Sequence, residues 1–328
     1  MSSMNAMNPK EEGDISSVFV SLSGAKPTPL PERFADIKRN LIRGHEEAVQ
    51  ASFTRLIEQL AVENRKVAEL GPKIIPSVTF KDVIEKTVSE EQLKDMRDKG
   101  ALVIRGVVDE TIARGYKQEV EDYVKLNPST KGFPPNDPQV YELYWSPPQV
   151  KARGHPNMIV AQKFLLNLWH SADPTSPISI SQPVAYADRV RIRQPGDAIF
   201  ALGPHADGGS VERWEPNGYG INGVYDTIFH GKWEEFDPFE SSSRVPAVSD
   251  LYHGGGSCSM FLIHAVDKSH AGGKGESEHI GRPGLDEVES WTGEEGLRAM
   301  GLSKFVVESE KGAGVEKAVE IGNNYLGF

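Results

Sequence analysis

A single cysteine, Cys258, stands among 328 residues. One thiol cannot close an intramolecular disulfide or build a multi-cysteine zinc site. A reducing compartment is the expectation, and with it a cytoplasmic location. Basic residues are also in deficit: 36 Lys and Arg face 47 Asp and Glu, for a formal net charge of −11. Gripping a nucleic-acid backbone requires basic surface that releases counterions, so no nucleic-acid partner is expected, and an anionic membrane surface is disfavoured on the same ground. No run approaches the roughly 20 apolar residues of a membrane helix. The opening MSSMNAMNPKEEGD has no apolar stretch behind a basic cluster, so no signal peptide is expected.

What is present suits a folded enzyme-sized body. Apolar residues make up 38 % of the chain, enough for a core, and 32 Gly with 22 Pro favour a turn-rich, strand-containing body over a helical bundle. The expected division is a tail and helical extension over residues 1–74 and a main domain over residues 75–328. In the extension, Val49, Phe53, Leu56, Ile57 and Leu60 recur at helical spacing, which predicts a packing or dimer helix over 46–70 that stops at Gly71. Ser89 and Gln92 form a capping-box pattern before a helix ended by Gly100. ALVIRGVV, from Ala101 to Val108, reads as a buried strand, and Asp109 caps a helix carrying Ile112, Tyr116, Val120 and Val124. A loop is expected from Pro128 to Pro138, then two short helices between Pro147 and His170. VRIR (Val190–Arg193) reads as a strand. From about Gly272 periodicity is weak until a short closing helix near Glu316.

The most chemical segment is His205-Ala206-Asp207. On a strand, residues two apart share a face, so an imidazole and a carboxylate here can serve one metal ion. A histidine from another strand would complete a two-His, one-carboxylate set with adjacent positions left open. His264, within the apolar run Met260–Val266, is a candidate, with His253, His270 and His279 as competitors. The bland alternatives are a surface His beside a turn Asp, and a core His satisfied by a carbonyl. Gly218-Tyr-Gly220-Ile-Asn-Gly223 matches a dinucleotide fingerprint in letters alone, because no buried strand precedes it. His253-Gly-Gly-Gly256 echoes a hydrolase oxyanion loop, but the chain has no GxSxG to accompany it. Arg189, Arg191 and Arg193 share one strand face that suits an anion, or else form a solvated basic face.

Longer segments carry a resemblance. DRVRIRQPGDAIFALGPHADGGSVERWE (Asp188–Glu215), GVYDTIFHGKWEEFDPF (Gly223–Phe239), VYELYWSPPQVKARGHPNM (Val140–Met158) and IHAVDKSH (Ile263–His270) resemble the DUF1479 family, also called Gig2-like or YbiU-like. The likeness runs from about residue 75 to the end. The family is similar to cupin-like dioxygenases, which implies an α+β fold: a double-stranded β-helix (jelly-roll) core with a helical N-terminal flank. It further implies an Fe(II)-dependent oxygenase with 2-oxoglutarate as cosubstrate and a small-molecule prime substrate. Carried over, His205, Asp207 and His264 are the metal ligands. Arg193, Arg282 and Lys268 are the candidates to hold 2-oxoglutarate. Tyr144, Trp145, Arg213 and Trp214 are offered as pocket wall, because aromatic and Arg groups suit an organic or anionic substrate. Two departures imply internal deletions and an incomplete core: Phe261 runs at once into Leu262-Ile-His264, and His270 almost directly into Gly272–Gly284. Loss of strands from a closed β-helix exposes edges and removes support from the metal site, which makes a catalytically inactive binding protein the main alternative. A zinc hydrolase on a cupin-like barrel is the other.

Overall fold

The computed structural model describes residues 29, 31–134, 136–185, 189–193, 195–196, 214–215, 223, 225–242, 278–306 and 312–326. Helices α1 (Arg33–Leu41) and α2 (Glu46–Leu70) lead, and α2 stops at Gly71 as its sequence predicts. Only part of the apolar stripe of α2 faces the body: Val49 and Leu56 are half-buried, whereas Phe53 is 60 % exposed and Ile57 and Leu60 are about half exposed. The helix packs through the side that carries Ser52, its one buried residue. The Trp233 indole N–H donates to the Ser52 carbonyl at 3.1 Å, and Arg55 pairs with Glu234 at 2.7 Å. Close approach is possible because Gly231 has no side chain; a Cβ there would lie 2.5 Å from the Ala48 carbonyl carbon and oxygen.

A small parallel sheet follows. Strand β1 (Ser77–Thr79) pairs with β2 (Val103–Arg105), Val78 opposite Ile104, and between them run α3 (Phe80–Glu85) and α4 (Glu90–Lys99). The predicted capping box starts α4: the Ser89 N–H donates to Gln92 Oε1 at 2.9 Å, and the Gln92 N–H to Ser89 Oγ at 3.2 Å. Gly100 ends α4 at φ +62°, in the left-handed region that glycine enters without strain. The buried eight-residue strand expected from Ala101 to Val108 is corrected to three residues, Val103–Arg105, only partly covered. The chain turns at Gly106, and β1 is the only partner of β2 among the described residues, so one edge lacks a ladder to extend.

Asp109 caps α5 (Glu110–Leu126) by accepting from the Thr111 N–H at 2.8 Å, and the helix buries Val120 and Tyr123. A second, antiparallel sheet joins β3 (Gly132–Phe133), β4 (Val140–Tyr141) and β5 (Val190–Arg191) in that order. The expected loop therefore contains β3. Helices α6 (Pro147–Arg153) and α7 (Pro156–Leu166) occupy the two places predicted for them, and α8 (Asp226–Phe229) comes later. Near the C-terminus, α9 (Leu285–Ala299) forms where only weak periodicity is legible, and α10 (Ala313–Leu326) is the closing helix.

Two apolar clusters hold these parts. Trp145, Val150, Val184, Val288, Met300 and Phe305 form one, joining α6 to α9 and the segment after it. Val78, Val83, Met96 and Leu168 form the other, beneath the parallel sheet. Helix and sheet are both present. The stretches expected to carry much of a double-stranded β-helix, residues 197–213 and 243–277, lie outside the described residues. Among the described residues no helix is long and apolar enough to cross a membrane.

Candidate functional site

The expected ligands His205, Asp207 and His264 lie outside the described residues, as do Arg213 and Lys268. Among the described residues, no group of three or more His, Cys, Asp and Glu could hold a metal ion. The remaining predicted residues are dispersed over several elements. Tyr144 follows β4, and the Arg189 guanidinium, just before β5, stands 5.6 Å from its ring centre. The strand pairing of Val140 with Arg191 brings those two segments together. Arg153 also donates to the Tyr144 carbonyl. Trp145 points the other way, into the core, and is 2 % exposed. Trp214 meets Tyr225 and Phe229 edge-on, with ring centres 5.8 and 5.4 Å away. Its neighbour Glu215 is tied to α1 by Arg33 at 2.6 Å. Arg193 is exposed beyond β5, while Arg282 sits half-buried in the turn before α9.

The described residues enclose a different cleft. It lies between the end of α4, the end of α7 and the segment 234–239. One lobe, of about 640 Å³, is mostly apolar, with Met96, Leu102, Leu165 and Leu168 in its lining. The other, of about 770 Å³, is more polar and includes Asn167, His170 and Asp237. Arg97, Trp169 and Phe239 line both lobes. The walls are pinned by backbone: the His170 N–H donates to the Phe239 carbonyl at 3.0 Å, and the Ser241 N–H to the His170 carbonyl at 2.8 Å. The Trp169 and Phe239 rings lie 5.1 Å apart, tilted by 54°.

Charge around the cleft is largely matched. Asp98 pairs with Lys94, and Lys99 with Glu63 at 3.7 Å. Glu234 pairs with Arg55, and this hydrogen-bonded contact holds its carboxyl below the ordinary range. Glu235 lies 3.4 Å from Lys232, and Asp237 lies 3.4 Å from His170 Nε2. Among the described residues, Arg97 has no such partner for its side chain. No motif in the chain announces this cleft, because its walls come from three stretches separated by some 60 residues each.

Comparison with known proteins places these observations. The Gig2-like family model matches residues 28–265. YbiU, an uncharacterized protein of Escherichia coli K12, is 28 % identical over 238 residues, which are 68 % of this chain and 56 % of YbiU. The chain thus spans little more than half of that relative's length. The crystal structure of GlcNAc Inducible Gene 2, GIG2 (DUF1479), from Candida albicans superposes with a TM-score of 0.70 at 20 % identity, covering 92 % of this chain and 96 % of that one. That likeness concerns the fold. A Salmonella typhimurium LT2 structure, called a "Putative Oxidoreductase", superposes with a TM-score of 0.56 at 26 % identity, covering 67 % of this chain and 56 % of that one.

Proposed function

The chain belongs to the Gig2-like family, and from that premise we propose that it is a non-haem Fe(II)- and 2-oxoglutarate-dependent oxygenase that hydroxylates a small molecule on a double-stranded β-helix core. The observation that carries the reading is positional. His205, Asp207 and His264 all fall within the matched range, residues 28–265. The oxidoreductase name of the Salmonella structure supports the reaction class.

The donor set fits the ion. Two neutral imidazoles and one carboxylate suit a divalent first-row metal and leave adjacent positions free. When bound, iron supplies the chemistry that couples O2 and the decarboxylation of 2-oxoglutarate to oxidation of a C–H bond. In this reading Asp207 contributes the anionic ligand, and His205 and His264 the neutral ones. Arg193 lies inside the matched range and is the preferred partner for the far carboxylate of 2-oxoglutarate; Lys268 and Arg282 lie beyond it. Arg213, Trp214 and Tyr144 remain the proposed pocket wall, whereas Trp145 belongs to the core cluster with Val150 and Met300.

A second reading has its own support. Phe261 runs at once into Leu262-Ile-His264 and His270 almost directly into Gly272–Gly284, where the family resemblance implies further strands. A binding protein that keeps the family body without a competent centre fits such internal deletions. Two measurements separate the readings. Under the oxygenase reading, the anaerobically loaded protein retains stoichiometric Fe(II), the His205→Ala variant retains none, and succinate is released only when O2 and 2-oxoglutarate are both supplied. A folded wild-type chain that retains no iron and releases no succinate leaves the binding protein.

A further inference from the structure

We propose that the cleft between α4, α7 and residues 234–239 binds an amphipathic carboxylate, a small molecule with an apolar, preferably aromatic, body and one carboxylate group. The argument is independent of the oxygenase reading and uses none of its residues.

Size is the first support. The lobes, of about 640 and 770 Å³, each match the few hundred to one thousand Å³ of small-molecule sites. The lining is the second. Met96 and Leu168 are buried in the lining of the apolar lobe, which Leu102 and Leu165 share. Trp169 and Phe239 are half-buried and present tilted rings to the space. An aromatic or acyl body placed there removes apolar surface from water and meets a ring edge or face.

Charge selects the remaining group. The carboxylates of the polar lobe all have a basic side chain within ion-pair distance: Asp98 with Lys94, Glu234 with Arg55, Glu235 with Lys232 and Asp237 with His170. Lys99 is taken by Glu63. Arg97 is the lining charge left uncommitted among the described residues, and it stands where the lobes meet. A half-buried guanidinium without a counter-charge is costly to keep beside apolar walls, and it offers two parallel N–H donors to a carboxylate. A cation would meet acids already engaged by neighbouring side chains and one repelling arginine.

The test is calorimetric titration of the full chain with 3-phenylpropanoate and its uncharged amide, 3-phenylpropanamide. Wild type should bind the acid about tenfold more tightly than the amide, the scale set by one charge-assisted, bidentate contact. Arg97→Gln should lose that preference while still binding the amide. Leu102→Trp, which fills the apolar lobe, should lose both ligands. As a check that does not depend on variants, the acid should raise the thermal midpoint of wild type more than the amide does at equal concentration. Equal affinity of wild type for acid and amide, absence of binding to either, or an unchanged preference in Arg97→Gln overturns the proposal.

Discussion

Asn127 holds Ile280 by both of its backbone groups. Its Oδ1 accepts from the Ile280 N–H at 2.7 Å and its Nδ2 donates to the Ile280 carbonyl at 3.1 Å, across 153 residues of chain. The same clasp recurs between Asn323 and Phe305, at 2.6 and 2.9 Å. Both asparagines are buried. Each clasp satisfies an N–H and a C=O that no helix or strand ladder reaches, and so fastens an irregular segment to a helix or its end.

Replacing Asn127 by Ala therefore leaves the Ile280 backbone groups without partners. A cost of about 1 kcal/mol is expected, the net worth of ordinary hydrogen bonds, because Asn127 is buried but Ile280 is 63 % exposed. Urea unfolding checks it. A loss below about 0.5 kcal/mol would show that water replaces the amide freely.

A tight crossing between α6 and α9 gives a second expectation. A Cβ on Gly154 would collide with the Thr292 side chain. Gly154→Ala should therefore destabilise by about 1–3 kcal/mol through overpacking. Adding Thr292→Ser, which keeps a hydroxyl for the 2.8 Å bond to the Val288 carbonyl, should recover part of the loss. Additive effects of the two substitutions would argue that the helices separate instead.

The two faces of the apolar inventory should respond oppositely to truncation. Trp145 is fully packed, so Trp145→Ala should cost about 3–5 kcal/mol. Phe53 is exposed on α2, so Phe53→Ala should stay within about 0.5 kcal/mol of wild type. Chemical denaturation of both variants reads the difference, and a large loss at Phe53 would mean that something covers the stripe in solution.

Asp82 supplies a pH-dependent cap. Hydrogen bonds from the Thr79 side chain and then its backbone N–H hold the Asp82 carboxyl below its ordinary value of 3.8. A depressed folded-state value means that the contribution is complete above the unfolded value and disappears as pH falls through the folded one. The start of α3 should thus loosen only in acid, below the ordinary aspartate range. Thr79→Val removes the hydroxyl, at 2.6 Å, and keeps the N–H, at 3.0 Å. In that variant the Asp82 titration, followed by carboxyl 13C shifts, should move upward toward the ordinary value. An unmoved midpoint would assign the effect to the backbone alone.

Local signals were readable where a few neighbouring residues decide the outcome. Ser89 with Gln92, Asp109, Gly71 and Gly100 mark helix ends because capping is settled within one turn. The length of β2 was not readable, since it depends on a partner strand more than 20 residues away. Helix α9 was hidden by Gly293 and Gly296. The first kinks it and the second lets Thr292 pack closely, so both answer to tertiary contacts rather than to helix propensity. The stripe on α2 is legible as a helix, but the outward turn of Phe53, Ile57 and Leu60 is not, because Ser52 looks less like a contact residue than Phe53 does. The candidate metal ligands rest on a short pattern and a family likeness, and they fall outside the described residues. The cleft around Arg97 carries no pattern at all, since separate stretches meet there only after folding.

The missing side chain at Gly231 has a mechanical consequence. It lets α2 rest directly on the backbone of the turn that continues into Glu234, Glu235 and Asp237. A 25-residue rod set against that turn fixes where the polar lip of the cavity begins, and the Trp233 and Arg55 side chains brace the same seat.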